Sequence, residues 1–584
     1  MKSLHLLLVA LLFICFSLKA EDRVYERTYV HTDKDCYIAG EEVLLKFYVI
    51  DNRFQPSDLS KVGYVEICDT ERPLMQLKVA LEKGAGAGKI KIPANIPSGM
   101  YQLSGYTRYM RNEGERVFFQ KQIAIVNATQ QVPDSKRFEW IEERDNTSSP
   151  QSPEEEVVET WHAASLQKSP GEIMFDVSQT TFDVSQLGVK TDQNEYGNRQ
   201  KVVLSIDNIP ANVADLVISV SRNDSIAFVP EINHSEWLKQ ITNPFPFSGQ
   251  WIPEYEGHII TGRFVPEPQE ELLANIAFVG NDIRYFNGQI NSQKGTVNFY
   301  TAGIFDKQQI VTSAVSPSYY DKVPYRLDLL TPFCESPSTD LPVLQIYPNE
   351  KQLMDRYIGV QIQGKTDTDL LCNSGQTSDY SVLQPVLSYN LDEYTRFNTI
   401  SETILEFVNS VRVAKVGDKR RISVLSKDLQ RFSPRTLVLL DGIPIYDHED
   451  ILEYNPMHIR KINIYDERYL FGGRDFESIL SFSTKEGNLP LFQLSSESQL
   501  FNYDCPSTPS RVNLPDYSTD TTKNSRRPDF RHTLYWNPFV LSSTGRPVDM
   551  SFYTSDLCGE FKATVEGITT DGKMIRGVSY FQVR

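Results

Sequence analysis

The chain has 584 residues, of which 40% are hydrophobic and 11% aromatic, and a formal net charge of −17, with a pI near 5.1. That length allows several domains, and the acidity argues against nucleic acid as a partner, because phosphates are repelled. Eight histidines without ligand spacing and no Cys-x-x-Cys pair offer little towards a metal site or acid–base machinery.

Residues 1–20 read as an export signal. Lys2 supplies a positive start, Leu6 to Leu18 form an apolar run short for a bilayer, and Ala20 is a small residue for cleavage before Glu21-Asp22. A lipid anchor on Cys15 is the lesser alternative, since Phe13-Ile14 precede it and the apolar run continues beyond it. No later segment is apolar and long enough to cross a membrane as a helix. Cys36, Cys68, Cys334, Cys372, Cys505 and Cys558 are too widely spaced for a compact disulfide framework, although export permits their oxidation.

In residues 21–127, the runs Val43 to Val49, Val62 to Ile67 and Lys89 to Ile92 are β-type and bounded by turn residues such as Pro97-Ser98-Gly99. They predict an antiparallel sandwich. Thr32-Asp33-Lys34, Tyr37, Gly40-Glu41, Val43 and Pro97-x-Gly99-x-Tyr101 resemble the MG2 domain of the α2-macroglobulin superfamily. Residues 128–170 are dominated by Glu, Ser, Pro and Gln. Such a stretch cannot bury enough apolar surface to offset its ordering entropy, so it predicts a linker, with Trp140 and Trp161 as local docking points. Thr191-Asp192, Tyr196, Val202 and Leu204 repeat the register of Thr32-Asp33, Tyr37, Val43 and Leu45 at one constant offset. The echo predicts a second sandwich within residues 171–257, with Arg199 standing where the first copy has Gly40.

Ile259 to Phe264, Ala277 to Val279 and Thr296 to Phe299 predict a further sandwich over residues 258–325, resembling either a carboxypeptidase-regulatory module or another macroglobulin domain. Residues 326–395 carry no assignable pattern. In residues 396–490, Ile404, Leu405, Val408 and Val411 form a helical stripe, and short apolar strands follow. Asp441-Gly442, Pro444, Asn455-Pro456, Ile462 to Ile464, Gly472-Gly473 and Thr484 to Gly487 stand in the order of the plug domain of TonB-dependent outer-membrane receptors, which this α/β stretch resembles. A barrel of roughly 22 strands needs well over ~200 residues. Only residues 488–584 follow, so the resemblance implies a plug-like domain without its barrel and a chain that is not itself a transporter.

Residues 491–530 read as a polar loop. In residues 531–584, Tyr535-Trp536-Asn537-Pro538, the alternation Val548 to Phe552, and Gly559 to Gly567 resemble strands of the macroglobulin core, with Asp571-Gly572 as a hairpin turn.

The macroglobulin resemblance raises the question of a thioester, which needs a Cys and a Gln three residues later. Cys558-Gly559-Glu560-Phe561 ends in Phe, which has no acyl group to give, so Cys558 is expected buried or disulfide-bonded. Asp447-His448-Glu449-Asp450 suggests a metal site, but four adjacent side chains diverge, and a solvated loop is the expectation. His31 and Asp33 share a strand face and could act as a base pair; a structural hydrogen bond at the domain edge is expected instead. No nucleophile elbow, zinc-protease helix, P-loop or dinucleotide fingerprint is present.

The expected fold is mainly β: multidomain macroglobulin- or immunoglobulin-like sandwiches with one α/β plug-like domain. The expected function is non-catalytic, with no catalytic, cofactor or metal residues. The protein is expected to be an accessory, assembly or binding factor in the periplasm or outer membrane of a Bacteroidota-like envelope. Its partners would be an outer-membrane barrel or other envelope proteins, with room for peripheral membrane association. The alternatives are a surface nutrient or glycan binder and a macroglobulin-like protease inhibitor without a thioester.

Overall fold

The computed structural model of the chain describes residues 24–53, 55–127, 129, 137–141, 185–229, 237, 245–268, 271–291, 295–316, 323, 325–336, 341–347, 349–363, 371–373, 383–471, 474–495, 498–508, 510–512, 514–540, 546–570 and 573–584. The export signal, Cys15, Trp161, most of the 128–170 stretch, Gly472-Gly473 and Asp571-Gly572 lie outside the described residues. Strands dominate the remainder and gather into many sheets, so the fold is mainly β and multidomain.

The first sandwich comprises β1 (Glu26–Thr32), β2 (Cys36–Ile38), β3 (Glu42–Asp51), β4 (Val62–Cys68), β5 (Pro73–Ala80), β6 (Ala85–Lys91), β7 (Gly99–Thr107) and β8 (Phe119–Val126). Its two sheets run β1-β3-β6 and β2-β8-β7-β4-β5. Strand β3 shows why Val43 to Val49 is almost unbroken in apolarity. Phe47 packs against Gly63 and Gly105 of the facing sheet, whereas its neighbour Lys46 turns the other way to Asp215 and the Pro538 carbonyl. A strand covered on both faces loses the polar alternation of a half-exposed one. β9 (Phe138–Trp140) follows, with Phe138 buried and Trp140 exposed.

The second sandwich opens with β10 (Ser185–Gln186), β11 (Gly188–Thr191), β12 (Glu195–Tyr196), β13 (Lys201–Asp207) and β14 (Val213–Arg222). The sequence echo is realised in identical hydrogen bonds. Tyr37 donates to Asp33 at 2.8 Å and Tyr196 to Asp192 at 2.7 Å. The Leu44 and Val203 amides donate to the same two carboxylates at 3.1 and 2.8 Å. Even the mismatch keeps its geometry: Gly40 has φ 96° and Arg199 φ 53°. Arg199 holds this left-handed conformation, unfavourable for a side-chain-bearing residue, while its guanidinium is anchored by Asp556 at 2.7 and 2.8 Å and by the Ser525 and Arg527 carbonyls.

The chain then leaves this sandwich unfinished. A third sandwich begins with β15 (His258–Val265), β16 (Leu273–Phe278), β17 (Tyr285–Asn287), β18 (Gln289–Asn291), β19 (Thr296–Thr301), β20 (Lys307–Val315) and β21 (Arg326–Leu329). Next come β22 (Leu344–Ile346), which pairs with β9, the helix α1 (Glu350–Gln363), and β23 (Leu371–Asn373). The unassigned stretch 326–395 thus contains, among its described residues, short strands that pair with distant segments, which local periodicity cannot show.

The α/β domain follows: β24 (Leu387–Asn390), α2 (Ile400–Phe407), β25 (Val411–Val416), β26 (Lys419–Ser426), β27 (Arg431–Phe432), β28 (Thr436–Leu440), β29 (Ile443–Pro444), α3 (His448–Leu452), β30 (Ile459–Tyr465), β31 (Tyr469–Phe471), β32 (Arg474–Phe476) and β33 (Ser478–Thr484). A mixed sheet, β24-β30-β33-β28-β29, carries its core beside the ribbon β25-β26-β27. Helix α2 starts on a side-chain cap, Thr399 accepting from the Glu402 amide, and Glu402 reaches back to accept from the Asn398 amide. Of its predicted stripe Ile404, Val408 and Val411 are buried, but Leu405 is 83% exposed.

Beyond it, β34 (Ser498–Asp504) pairs with β20 and completes the third sandwich, whose sheets are β18-β19-β15-β21 and β17-β16-β20-β34. β35 (Ser510–Val512) pairs with β23. The expected polar loop 491–530 thus contains a sandwich strand; alternate residues of β34 are half-buried, a weak signal in a polar sequence.

Strands β36 (Thr533–Val540), β37 (Val548–Tyr553), β38 (Gly559–Thr569) and β39 (Met574–Val583) return to the second sandwich. β14 lies between β36 and β38, and β13 pairs with β37. Residues 531–584 are therefore the missing half of the second sandwich and not a separate C-terminal segment. The domains are nested, with the α/β domain inserted into the third sandwich and both inserted into the second.

Candidate functional site

Of the groups singled out in the sequence, His31, Asp33 and His448 are committed to the fold. His31 and Asp33 both turn to the second sandwich. His31 bonds Glu566 at 2.5 Å and stacks on Trp536, while Asp33 accepts from Thr533 at 2.7 Å. They are interface residues and do not pair with each other.

Asp447 to Asp450 is not a solvated loop. Asp447 caps α3 and pairs with Lys419, Glu449 holds Arg420, and His448 is buried with its Nδ1 accepting the Ile422 amide at 2.9 Å. Burial pushes the His448 imidazole down to about 4, so it stays neutral. Asp447, His448 and Glu449 meet three different partners because a helix start fans them outwards.

Cys558 is exposed and free, against the expectation of burial or bonding, and Phe561 is wholly buried in the second sandwich. Cys36, Cys68, Cys334 and Cys505 are also free. Burial pushes the Cys68 and Cys505 thiols up to about 12, which removes their nucleophilic form at neutral pH.

Two buried polar clusters escape sequence reasoning, because their members are far apart in the chain. Arg356 of α1, 2% exposed, donates to Glu41 at 3.0 Å and to the Cys36 carbonyl at 2.9 Å, and lies 3.4 Å from Asp224. It ties α1 to both of the first two sandwiches. In the second cluster, His258 and Tyr64 share Glu254 at 2.9 Å, and His258 meets the Tyr503 hydroxyl at 2.7 Å. Burial pushes His258 down to about 4. The neutral ring donates from Nδ1 to the carboxylate and accepts at Nε2 from Tyr503, joining the first and third sandwiches. A cleft of about 520 Å³ beside it is lined by Lys61, Glu82, Glu256, Phe305 and Phe539 among others. No fully buried side-chain polar atom of that lining lacks a hydrogen-bond partner.

The α/β domain is different. Of the twenty-two large apolar side chains exposed among the described residues, eleven belong to residues 386–491, which concentrates unsatisfied apolar surface on one domain. Strand β24 lies at the edge of the five-stranded sheet, exposes Val386 and Leu387, and has no described strand on its outer side. The domain is seated on the third sandwich by the Asp441-Gly442 turn. The Asp441 carboxylate accepts the Thr484 amide at 2.7 Å and the Leu489 amide at 2.9 Å, and its carbonyl accepts the Gly280 amide at 2.9 Å. At Gly442 (φ 79°) a Cβ would lie 2.8 Å from the Phe278 carbonyl oxygen. Both residues have positive φ, as a two-residue hairpin turn of the I′ type requires.

Among the described residues, no helix is long and apolar enough to cross a membrane. Comparison with protein-family models found no match, and comparison with curated proteins found none either. Among solved structures, a mutant Salmonella alpha-2-macroglobulin aligns over 96% of this chain and 39% of its own, at 8% identity and a TM-score of 0.23. The native conformation of E. coli alpha-2-macroglobulin aligns over 96% and 40%, at 9% identity and a TM-score of 0.23. The trypsin-activated E. coli protein gives 96% and 41%, at 8% and 0.22. The chain spans about two fifths of the length of these structures.

Proposed function

We propose that the protein is a non-catalytic accessory or assembly factor of a bacterial envelope, whose nested sandwiches hold out the α/β domain to dock an outer-membrane barrel or another envelope protein. The concentration of exposed apolar side chains on that domain carries this reading. Strand β24, which has no described strand on its outer side, offers the partner main-chain pairing, and Leu405 on α2 offers an apolar contact.

The test places photo-activated cross-linking residues at Leu387 and at Leu405 of the full chain in its native envelope. The expected product is one discrete adduct with a barrel or other envelope protein, absent when the probe is moved to Lys190 of the second sandwich. Recovery of uncross-linked protein alone, from a soluble fraction, would overturn the reading.

A further inference from the structure

We propose that the outer face of the β25-β26-β27 ribbon docks on an anionic lipid membrane surface. Residues 411–435 contain eight cationic side chains and two acidic ones, in a chain whose net charge is −17; of the eight, Arg420, Lys427 and Arg435 are paired with Glu449, Glu467 and Asp475. Strand register decides where they go. Arg412 stands opposite Ser423, Ala414 opposite Arg421, and Val416 opposite Lys419, while Leu425 stands opposite Phe432. The alternate set, Val411, Val413, Ile422 and Val424, packs into the domain core, so the first set faces outwards.

That outward face carries no acidic side chain on any of its strands. Lys419 is balanced by Asp447 of α3, and Arg421 donates to the Tyr446 carbonyl at 3.0 Å. Arg412 stands 6.0 Å over the ring of Phe432. Between the cations, Val416 is 62% exposed, Leu425 41% and Phe432 37%.

Charge complementarity selects an anionic partner, and the apolar side chains decide its kind. They stand singly on an open sheet face, interleaved with guanidinium and ammonium groups. A lipid interface accepts both: phosphates take the cations, and the acyl boundary takes Val, Leu and Phe. The rest of the chain carries an excess of negative charge, so the same membrane repels it and the ribbon becomes the point of contact. This inference is separate from the docking reading, which concerns β24 and α2.

The experiment sediments the full chain with vesicles of phosphatidylcholine alone and of phosphatidylcholine with phosphatidylglycerol. The expected result is binding only to the phosphatidylglycerol vesicles, lost when salt is raised to roughly 0.5 M. R412E/R421E should weaken that binding roughly tenfold or more in a protein that still melts cooperatively. If this double reversal does not fold, R412Q/V416S provides the test, with a weakening in the same direction. Absence of binding, equal binding to both vesicles, or variants that bind like the parent would overturn the proposal. Soluble polyaspartate that competes as strongly as the vesicles would also overturn it, in favour of an acidic protein.

Discussion

At Arg356 a single side chain decides how one helix meets two domains. Removing it leaves buried Glu41 with Lys34 and buried Asp224 with Arg222 as remaining counter-charges, and the lost partner costs far more than the pair gains over an apolar substitute. Arg356→Ala should therefore lower stability by about 3–5 kcal/mol in urea titrations. Burial pushes the Glu41 carboxyl up, but Arg356 and Lys34 outweigh it and hold the group well below its ordinary 4.5. The resulting stability is present above pH 4.5 and is lost as pH falls towards the folded-state value; Glu41→Gln should flatten that acid limb. Lys46 shows the opposite balance. Burial pulls it down to about 8 from 10.5, although Asp215 opposes the shift. Between those values the unfolded chain holds the proton and the folded chain does not, so stability rises with pH across that window. Lys46→Met alone should cost about 3 kcal/mol by stranding Asp215, whereas Lys46→Met with Asp215→Leu should restore most of it.

At the scale of elements, two neutral histidines make the inserted domains sensitive to acid. His258 in the third sandwich and His448 in the α/β domain both sit at about 4 against an ordinary 6.5, because burial disfavours the imidazolium. Their contribution is complete above pH 6.5 and should fall by about 3 kcal/mol per histidine as the pH drops to 4. Urea midpoints at neutral and acid pH would show this, and His448→Gln should reduce the slope. The Asp441-Gly442 turn sets the seat of the α/β domain. Gly442→Ala should destabilise that domain by about 2 kcal/mol or more, since it adds backbone strain and a clash with the Phe278 carbonyl. Hydrogen exchange should then open β28 and β33 before the sandwiches.

For the whole molecule, nesting makes the last strands indispensable. A chain ending at residue 530 lacks β36 to β39 and leaves β14 without either neighbour. It also exposes the face of β3 that carries Lys46, which β36 and its neighbours cover. We expect such a truncation to lose the second sandwich and to aggregate, as circular dichroism and light scattering would show. A truncation that kept a native-like melt would contradict the nested arrangement.

The sequence by itself determined the strands, the class and one local motif. Runs such as Val43 to Val49 read as β because side-chain period and β-branching are local properties, and the Asp33–Tyr37 motif reappeared at Asp192–Tyr196 because its hydrogen bonds close within a few residues. The Asp441-Gly442 turn was legible for the same reason. Leu405 was not: a helical stripe predicts a buried face, but whether a neighbour covers each side chain depends on the third dimension. Only the tertiary structure decided that residues 533–583 complete a sandwich begun at residue 185 and that Arg356 finds Glu41. Those outcomes rest on pairings between segments far apart in the chain, and no residue carries the address of a distant partner in its own local pattern.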